Sequence, residues 1–129
     1  KIITGERNIM KLYVDDLRDC PEGYTIAKTV EEALHYLRNY RVDILSLDHD
    51  LGEDEHHILL PNGNDLVKTF CEEGLEVNKI YIHSHNPVGR ENMFETLKAA
   101  QRRGFIKDTI EIYNYSITND KYTQNLWND

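Results

Sequence analysis

Val42-Asp43-Ile44-Leu45-Ser46-Leu47-Asp48-His49-Asp50-Leu51-Gly52 is a nearly continuous apolar run closed by two carboxylates and an imidazole. Such a run fits a strand covered on both faces of a parallel sheet. Its polar end fits a sheet that carries a site at the carboxyl edge of its strands. Two other runs close in the same way: Lys11-Leu12-Tyr13-Val14 leads into Asp15-Asp16, and Lys79-Ile80-Tyr81-Ile82 into His83-Ser84-His85-Asn86-Pro87. Three strand ends therefore offer acids, histidines and a hydroxyl together.

Helical segments separate these strands. Thr29 with Glu32 forms a Thr-x-x-Glu capping box before a helix running to about Asn39, with Ala33, Leu34 and Leu37 on its apolar face. Asn62-Gly63-Asn64 opens a second helix carrying Leu66, Val67 and Phe70, and Gly74 is its stop. Asn86 and Pro87 open a third, with Met93, Phe94, Leu97 and Ala100 as its inner stripe and Gly104 at its end. Tyr24 to Ala27 reads as a short second strand, and Thr109 to Tyr115 alternates as a last one. Leu17 to Gly23, with Pro21 and Gly23, is too short for a crossover helix, so the first crossover is expected to be a loop. The sum is an α/β fold: a parallel five-stranded sheet with right-handed crossovers in the order 2-1-3-4-5. That order sets the ends of the first, third and fourth strands side by side.

The 129 residues make one domain, expected over residues 10–129. Residues 1–9 precede Met10, a plausible natural start, and are expected to be an upstream extension without functional weight. Ser116 to Asp129 is expected to be a short helix or a loose tail. Glu53 to Pro61 is acidic and aperiodic; it reads as a loop and a candidate lid, whose Ile58, Leu59 and Leu60 need partners. No stretch is long and apolar enough for a membrane span and none resembles a leader, so a cytoplasmic protein is expected. Cys20 and Cys71 follow no metal-ligand spacing and read as reduced thiols.

The net charge of −8 argues against duplex nucleic acid, whose binding rests on many Lys and Arg contacts to phosphate. Lys98, Arg102, Arg103 and Lys107 read as a solvated helix face. A small phosphorylated ligand remains compatible with this charge if a metal ion supplies the positive counterpart.

Asp15, Asp16 and Asp48 are hard oxygen ligands on neighbouring strands, suited to Mg²⁺ or Mn²⁺, with Asp50 as a further candidate that also fits a local Asx-turn. His49 and His83 are the candidate acid and base, since two imidazoles either side of a phosphorus atom can activate water and protonate a leaving oxygen. Ser84, Asn86 and Arg90 are the candidate phosphate contacts at the start of the third helix. Arg18 fits either the site or a salt bridge to its acids, and His56 and His57 read as solvated.

The acidic pair after the first strand, Asp48 ending the third and Ser84 ending the fourth resemble a receiver domain of two-component signalling. The chain departs from that pattern in lacking a Lys after the fifth strand, where Asn114-Tyr115-Ser116 stand. A closer resemblance is to the cyclic-phosphate processing receiver domain family, found in bacteria and their phages. It covers most of Lys11 to Gly104 and is carried by Asp15-Asp16-x-Arg18, Thr29-x-x-Glu32-Ala33, Ser46-Leu47-Asp48-His49-Asp50-Leu51-Gly52 and His83-Ser84-x-Asn86-Pro87-x-Gly89-x-x-Asn92-Met93. The resemblance implies a receiver-like, flavodoxin-like fold and a role in processing or sensing cyclic phosphates.

Residues and resemblance together lead to the expectation of a metal-assisted phosphoesterase, a hydrolase opening a cyclic phosphate of a nucleotide or RNA end. Two alternatives stand beside it: a noncatalytic cyclic-phosphate sensor, and a signalling receiver phosphorylated on Asp48. In the first reading His83→Ala removes turnover and leaves the fold intact.

Overall fold

A computed structural model describes residues 9–16 and 20–117. The elements in chain order are β1 (Ile9–Val14), β2 (Thr25–Ala27), α1 (Val30–Asn39), β3 (Arg41–Leu47), α2 (Gly63–Glu73), β4 (Lys79–Ile82), α3 (Pro87–Arg102) and β5 (Glu111–Tyr113). The strands form one sheet in the order β2-β1-β3-β4-β5, every neighbouring pair parallel. The expected receiver-like topology is therefore present. The described part of the first crossover, residues 15–16 and 20–24, contains no helix. Residues 17–19, with Arg18, lie outside the described residues, as do positions 1–8 and the expected tail from 118 onward.

Alternation along the strands divides the sheet into two unlike faces. Leu12, Leu45, Ile80 and Ile112 are laterally paired, and Val14, Leu47 and Ile82 extend the same face. These side chains share one core with Leu34 and Leu37 of α1, Leu66 and Phe70 of α2, and Met93 and Leu97 of α3. The alternate row is Tyr13, Ser46, Tyr81 and Tyr113. It is more polar than the covered run expected from sequence, and Ser46 within it is fully buried.

The helix ends carry the expected signals with one change. Thr29 Oγ1 accepts from Glu32 N, but the Glu32 carboxylate reaches past the cap to the amide of Lys28 at 2.7 Å. Asn62 and Asp65 form a reciprocal capping box at α2. Gly74, in the left-handed region at φ 61°, ends that helix. The last strand is shorter than the alternating stretch Thr109 to Tyr115, because residues just before it turn, with Ile110 N donating to Lys107 O.

Residues 53–60 fold back on themselves. Glu53 and Leu59 form an antiparallel bridge, the Asp54 carboxylate accepts from the amides of His56 and Ile58, and His57 sits at φ 64°. Ile58 and Leu59 are exposed. No helix among the described residues is long and apolar enough to cross a membrane.

Cys71, on the inner side of α2, is buried, and desolvation pushes its thiol up to about 11. Because the thiolate is the reactive form, Cys71 should resist iodoacetamide at pH 8 in the folded protein and react once urea unfolds it. Peptide mass mapping of the two alkylated samples checks this; equal labelling of Cys71 in both would contradict its burial.

Candidate functional site

Backbone pairing continues one residue past each of the three central strands. Asp15 N donates to Ala27 O at 3.0 Å, Asp48 N to Val14 O at 3.0 Å, and His83 N to Leu47 O at 2.8 Å. Strand parity therefore still governs residues 15, 48 and 83, which fall on the side of the Tyr13–Ser46 row. His83 confirms this. Its Nε2 lies 3.1 Å from Asp15 Oδ2, its Nδ1 lies 2.7 Å from Ser46 Oγ, and its ring stacks on Tyr13 with centroids 4.2 Å apart. The side chains of His83 and Asp15 are each 1 % exposed.

One ligand atom from each of Asp15, Asp48 and His83 lies within 4.8 Å of the other two. Two carboxylate oxygens and an imidazole nitrogen at that spacing fit a divalent cation that completes its shell with water. An imidazole can ligate only through a nitrogen that carries no proton. Ser46 Oγ is placed to accept Nδ1–H, which would leave Nε2 as the ligating nitrogen. Asp16 and Asp50 fall outside this group.

His49, one residue beyond the pairing, turns toward the helix layer. Its Nδ1 donates to Asp50 Oδ1 at 2.9 Å, and Asn86 Nδ2 lies 3.4 Å from Asp50 Oδ2. Asn86 Oδ1 meanwhile caps α3 by accepting from Gly89 N at 2.9 Å. One asparagine thus joins the helix start to the His49–Asp50 pair. With Nδ1–H committed to Asp50, Nε2 carries the basic lone pair. The two candidate acid-base histidines therefore occupy different networks, linked by Asp48, whose Oδ1 accepts from His49 N at 2.8 Å.

Glycines permit this crowding. A Cβ on Gly89 would stand 2.4 Å from the His49 ring, and one on Gly63 would stand 2.1 Å from Asp48 O. Gly63 N also donates to His49 O at 2.7 Å, which seats the start of α2 directly under the motif. Gly89→Ala should consequently displace the His49 imidazole while costing about 1–3 kcal/mol in stability, the usual range for overpacking. Urea unfolding gives the second quantity. A ¹H–¹⁵N spectrum of the histidine rings, with His49 unshifted, would contradict the first.

The phosphate candidates have separate tasks. Ser84 Oγ accepts from Asn86 N at 3.0 Å, and Arg90 Nη1 donates to Ser84 O at 3.1 Å. Arg90, Ser84 and His85 line a cavity of about 340 Å³ together with Asn114, Tyr115 and Ser116, with His83 also at its wall. Asn86 is drawn instead into the His49–Asp50 network. Asp16 lies beneath Gly52, and its Oδ2 would be 2.7 Å from a Cβ there.

Ser46 and Tyr13 were not singled out from sequence as site residues, and Gly63 was read only as part of a helix start. For the first two a signal existed: Ser46 stands two residues before Asp48 and Tyr13 two before Asp15, so strand parity aligns each with its acid. Gly63 depends on the path of the 53–61 loop, which has no period to read.

The family model of the cyclic-phosphate processing receiver domain matches residues 10–99, a segment that contains both histidine networks and Arg90 but ends before β5. No curated protein and no solved structure matches the chain.

Proposed function

The chain belongs to the cyclic-phosphate processing receiver domain family, and from that membership we propose that it is a metal-assisted phosphoesterase opening the cyclic phosphate of a nucleotide or RNA end. The observation that carries the reading is the meeting of a metal-suited Asp15–Asp48–His83 group with a separately oriented imidazole, His49, at one sheet edge. A divalent ion there would polarise the phosphoryl group and lower the pKa of water.

The protein's own groups divide the remaining work. With Nδ1 turned to Ser46 Oγ and the side chain buried, His83 is placed to hold the ion through Nε2 rather than to move protons. His49 Nε2 takes a proton from the attacking water, and Asp50 steadies the imidazolium that forms. Arg90 offers its guanidinium to the phosphate oxygens at the cavity wall. One water is consumed: its oxygen bonds to phosphorus, one ring P–O bond breaks, and the freed ring oxygen gains a proton. The product is a phosphate monoester.

An imidazole in the ligand set favours Mn²⁺ over Mg²⁺. Purified protein incubated with nucleoside 2′,3′- and 3′,5′-cyclic phosphates should form monoester in Mn²⁺ and none in chelator. Chromatography that finds no monoester with either cation overturns the proposal.

Ser46 tests the orientation of His83. Ser46→Ala should weaken Mn²⁺ binding about 10–100-fold, the range for losing a partner behind a metal ligand. Electron paramagnetic resonance titration of free Mn²⁺ gives the affinity, and a wild-type value would remove Ser46 from the account.

A further inference from the structure

The carboxylate that orients His49 stands in solvent. The side chain of Asp50 is 68 % exposed, and its Oδ1 accepts from His49 Nδ1 at 2.9 Å. Such a pair holds weakly by itself, because water competes for both partners. The second oxygen of Asp50 is met by Asn86 Nδ2 at 3.4 Å. Asn86 is in turn fixed at two points: its Oδ1 accepts from Gly89 N at 2.9 Å as the cap of α3, and its backbone N donates to the Oγ of the buried Ser84 at 3.0 Å. With the amide oxygen committed to the helix start, the amide nitrogen is left to face the His49–Asp50 pair. That nitrogen also lies 3.5 Å from His49 Nδ1, but Nδ1 carries the proton given to Asp50 and cannot accept, so the amide proton goes to the carboxylate.

The start of α3 therefore does two things to His49. It touches the ring at Gly89, where a Cβ would stand 2.4 Å from the imidazole, and through Asn86 it steadies the ring's carboxylate. An imidazole whose Nδ1–H is held presents Nε2 as its basic nitrogen; one whose carboxylate swings away samples both tautomers. A base oriented by a second group, itself fixed by a third, is the general arrangement for directed proton transfer. We infer that Asn86 is a positioning residue: it holds Asp50 against His49 and so keeps His49 in the tautomer whose Nε2 takes the proton. The inference rests on the proposed function for the task of Nε2 and adds the group that orients it. It also moves Asn86 out of the phosphate contacts among which the sequence placed it.

Asn86→Ser separates this role from the cap. Serine caps a helix about as well as asparagine, so the urea midpoint should stay near wild type, while the shorter side chain cannot reach Asp50. Ring ¹⁵N spectra of the metal-free protein, taken above the titration range of an ordinary imidazole, should show wild-type His49 with a protonated Nδ1 and a bare Nε2. In Asn86→Ser the two nitrogens should move toward a common intermediate shift. With adenosine 2′,3′-cyclic phosphate and Mn²⁺, kcat should fall roughly 2- to 10-fold, the worth of one net hydrogen bond, at unchanged KM. In an Asp50→Ala background the same substitution should alter neither reading. Wild-type ring shifts in Asn86→Ser, an effect undiminished by Asp50→Ala, or a raised KM at wild-type kcat would each overturn the inference. A wild-type protein without turnover would overturn only the proposed reaction, since the ring spectra still decide the role of Asn86.

Discussion

His83→Ala is expected to lower Mn²⁺ affinity beyond the about 10–100-fold that loss of an outer partner causes, and to destabilise the fold by about 2–4 kcal/mol. The first effect follows from removing the nitrogen that stands with Asp15 and Asp48. The second follows from burial. The ring fills space against Tyr13, and deleting it leaves Ser46 Oγ and Asp15 Oδ2 without the nitrogens they meet at 2.7 and 3.1 Å. Sequence alone suggested a variant that folds normally and merely loses turnover. A strand-end histidine looks exposed in a sequence because nothing there shows that pairing continues past Ile82 and tucks the ring under its neighbours. Urea unfolding and Mn²⁺ titration measure the two losses separately; a wild-type unfolding midpoint together with wild-type Mn²⁺ affinity would remove His83 from the site.

His49→Gln should behave differently. With the imidazole gone, kcat for the cyclic phosphate is expected to fall about 10²–10⁴-fold, the usual contribution of a positioned acid-base group. Mn²⁺ affinity should stay near wild type, because His49 contacts Asp48 through its backbone amide and that contact survives the substitution. Asp50→Asn should cost less than His49→Gln, since the ring remains and loses only the carboxylate on Nδ1. Steady-state kinetics at saturating Mn²⁺ checks both. A His49→Gln enzyme with wild-type kcat would assign the proton transfer elsewhere.

The contrast between the two histidines shows what was legible in the sequence. The apolar runs ending in polar residues led to the strand order, and capping residues at Thr29, Asn62 and Asn86 marked the starts of the three helices among the described residues. Those signals are local, so they survive the absence of tertiary information. Site membership was harder. Asp48 and His49 are adjacent in sequence, yet Asp48 remains in the ladder and His49 leaves it. A single backbone hydrogen bond, Asp48 N to Val14 O, decides which side each residue faces. Asp16 stood beside Asp15 and Asp48 as an oxygen donor, with Asp50 as a further candidate that also fits an Asx-turn. In the structure the Asp50 carboxylate meets His49 Nδ1, and Asp16 packs below a glycine at φ 89°. Neither assignment follows from spacing, because each depends on where a distant loop or helix places its backbone. Tyr115 belongs to the same class: its place in a cavity wall arises from β5 lying beside β4, 30-odd residues away in the chain.

The most direct test of the account is phosphorus NMR of wild-type protein with adenosine 2′,3′-cyclic phosphate and Mn²⁺ in water enriched in ¹⁸O, with manganese removed before the spectrum is taken. Water attack on phosphorus predicts loss of the cyclic resonance and growth of a monoester resonance carrying the isotope shift of one ¹⁸O, with no change when chelator is present from the start. A cyclic resonance that persists in Mn²⁺, or a monoester without the isotope shift, would contradict the central claim.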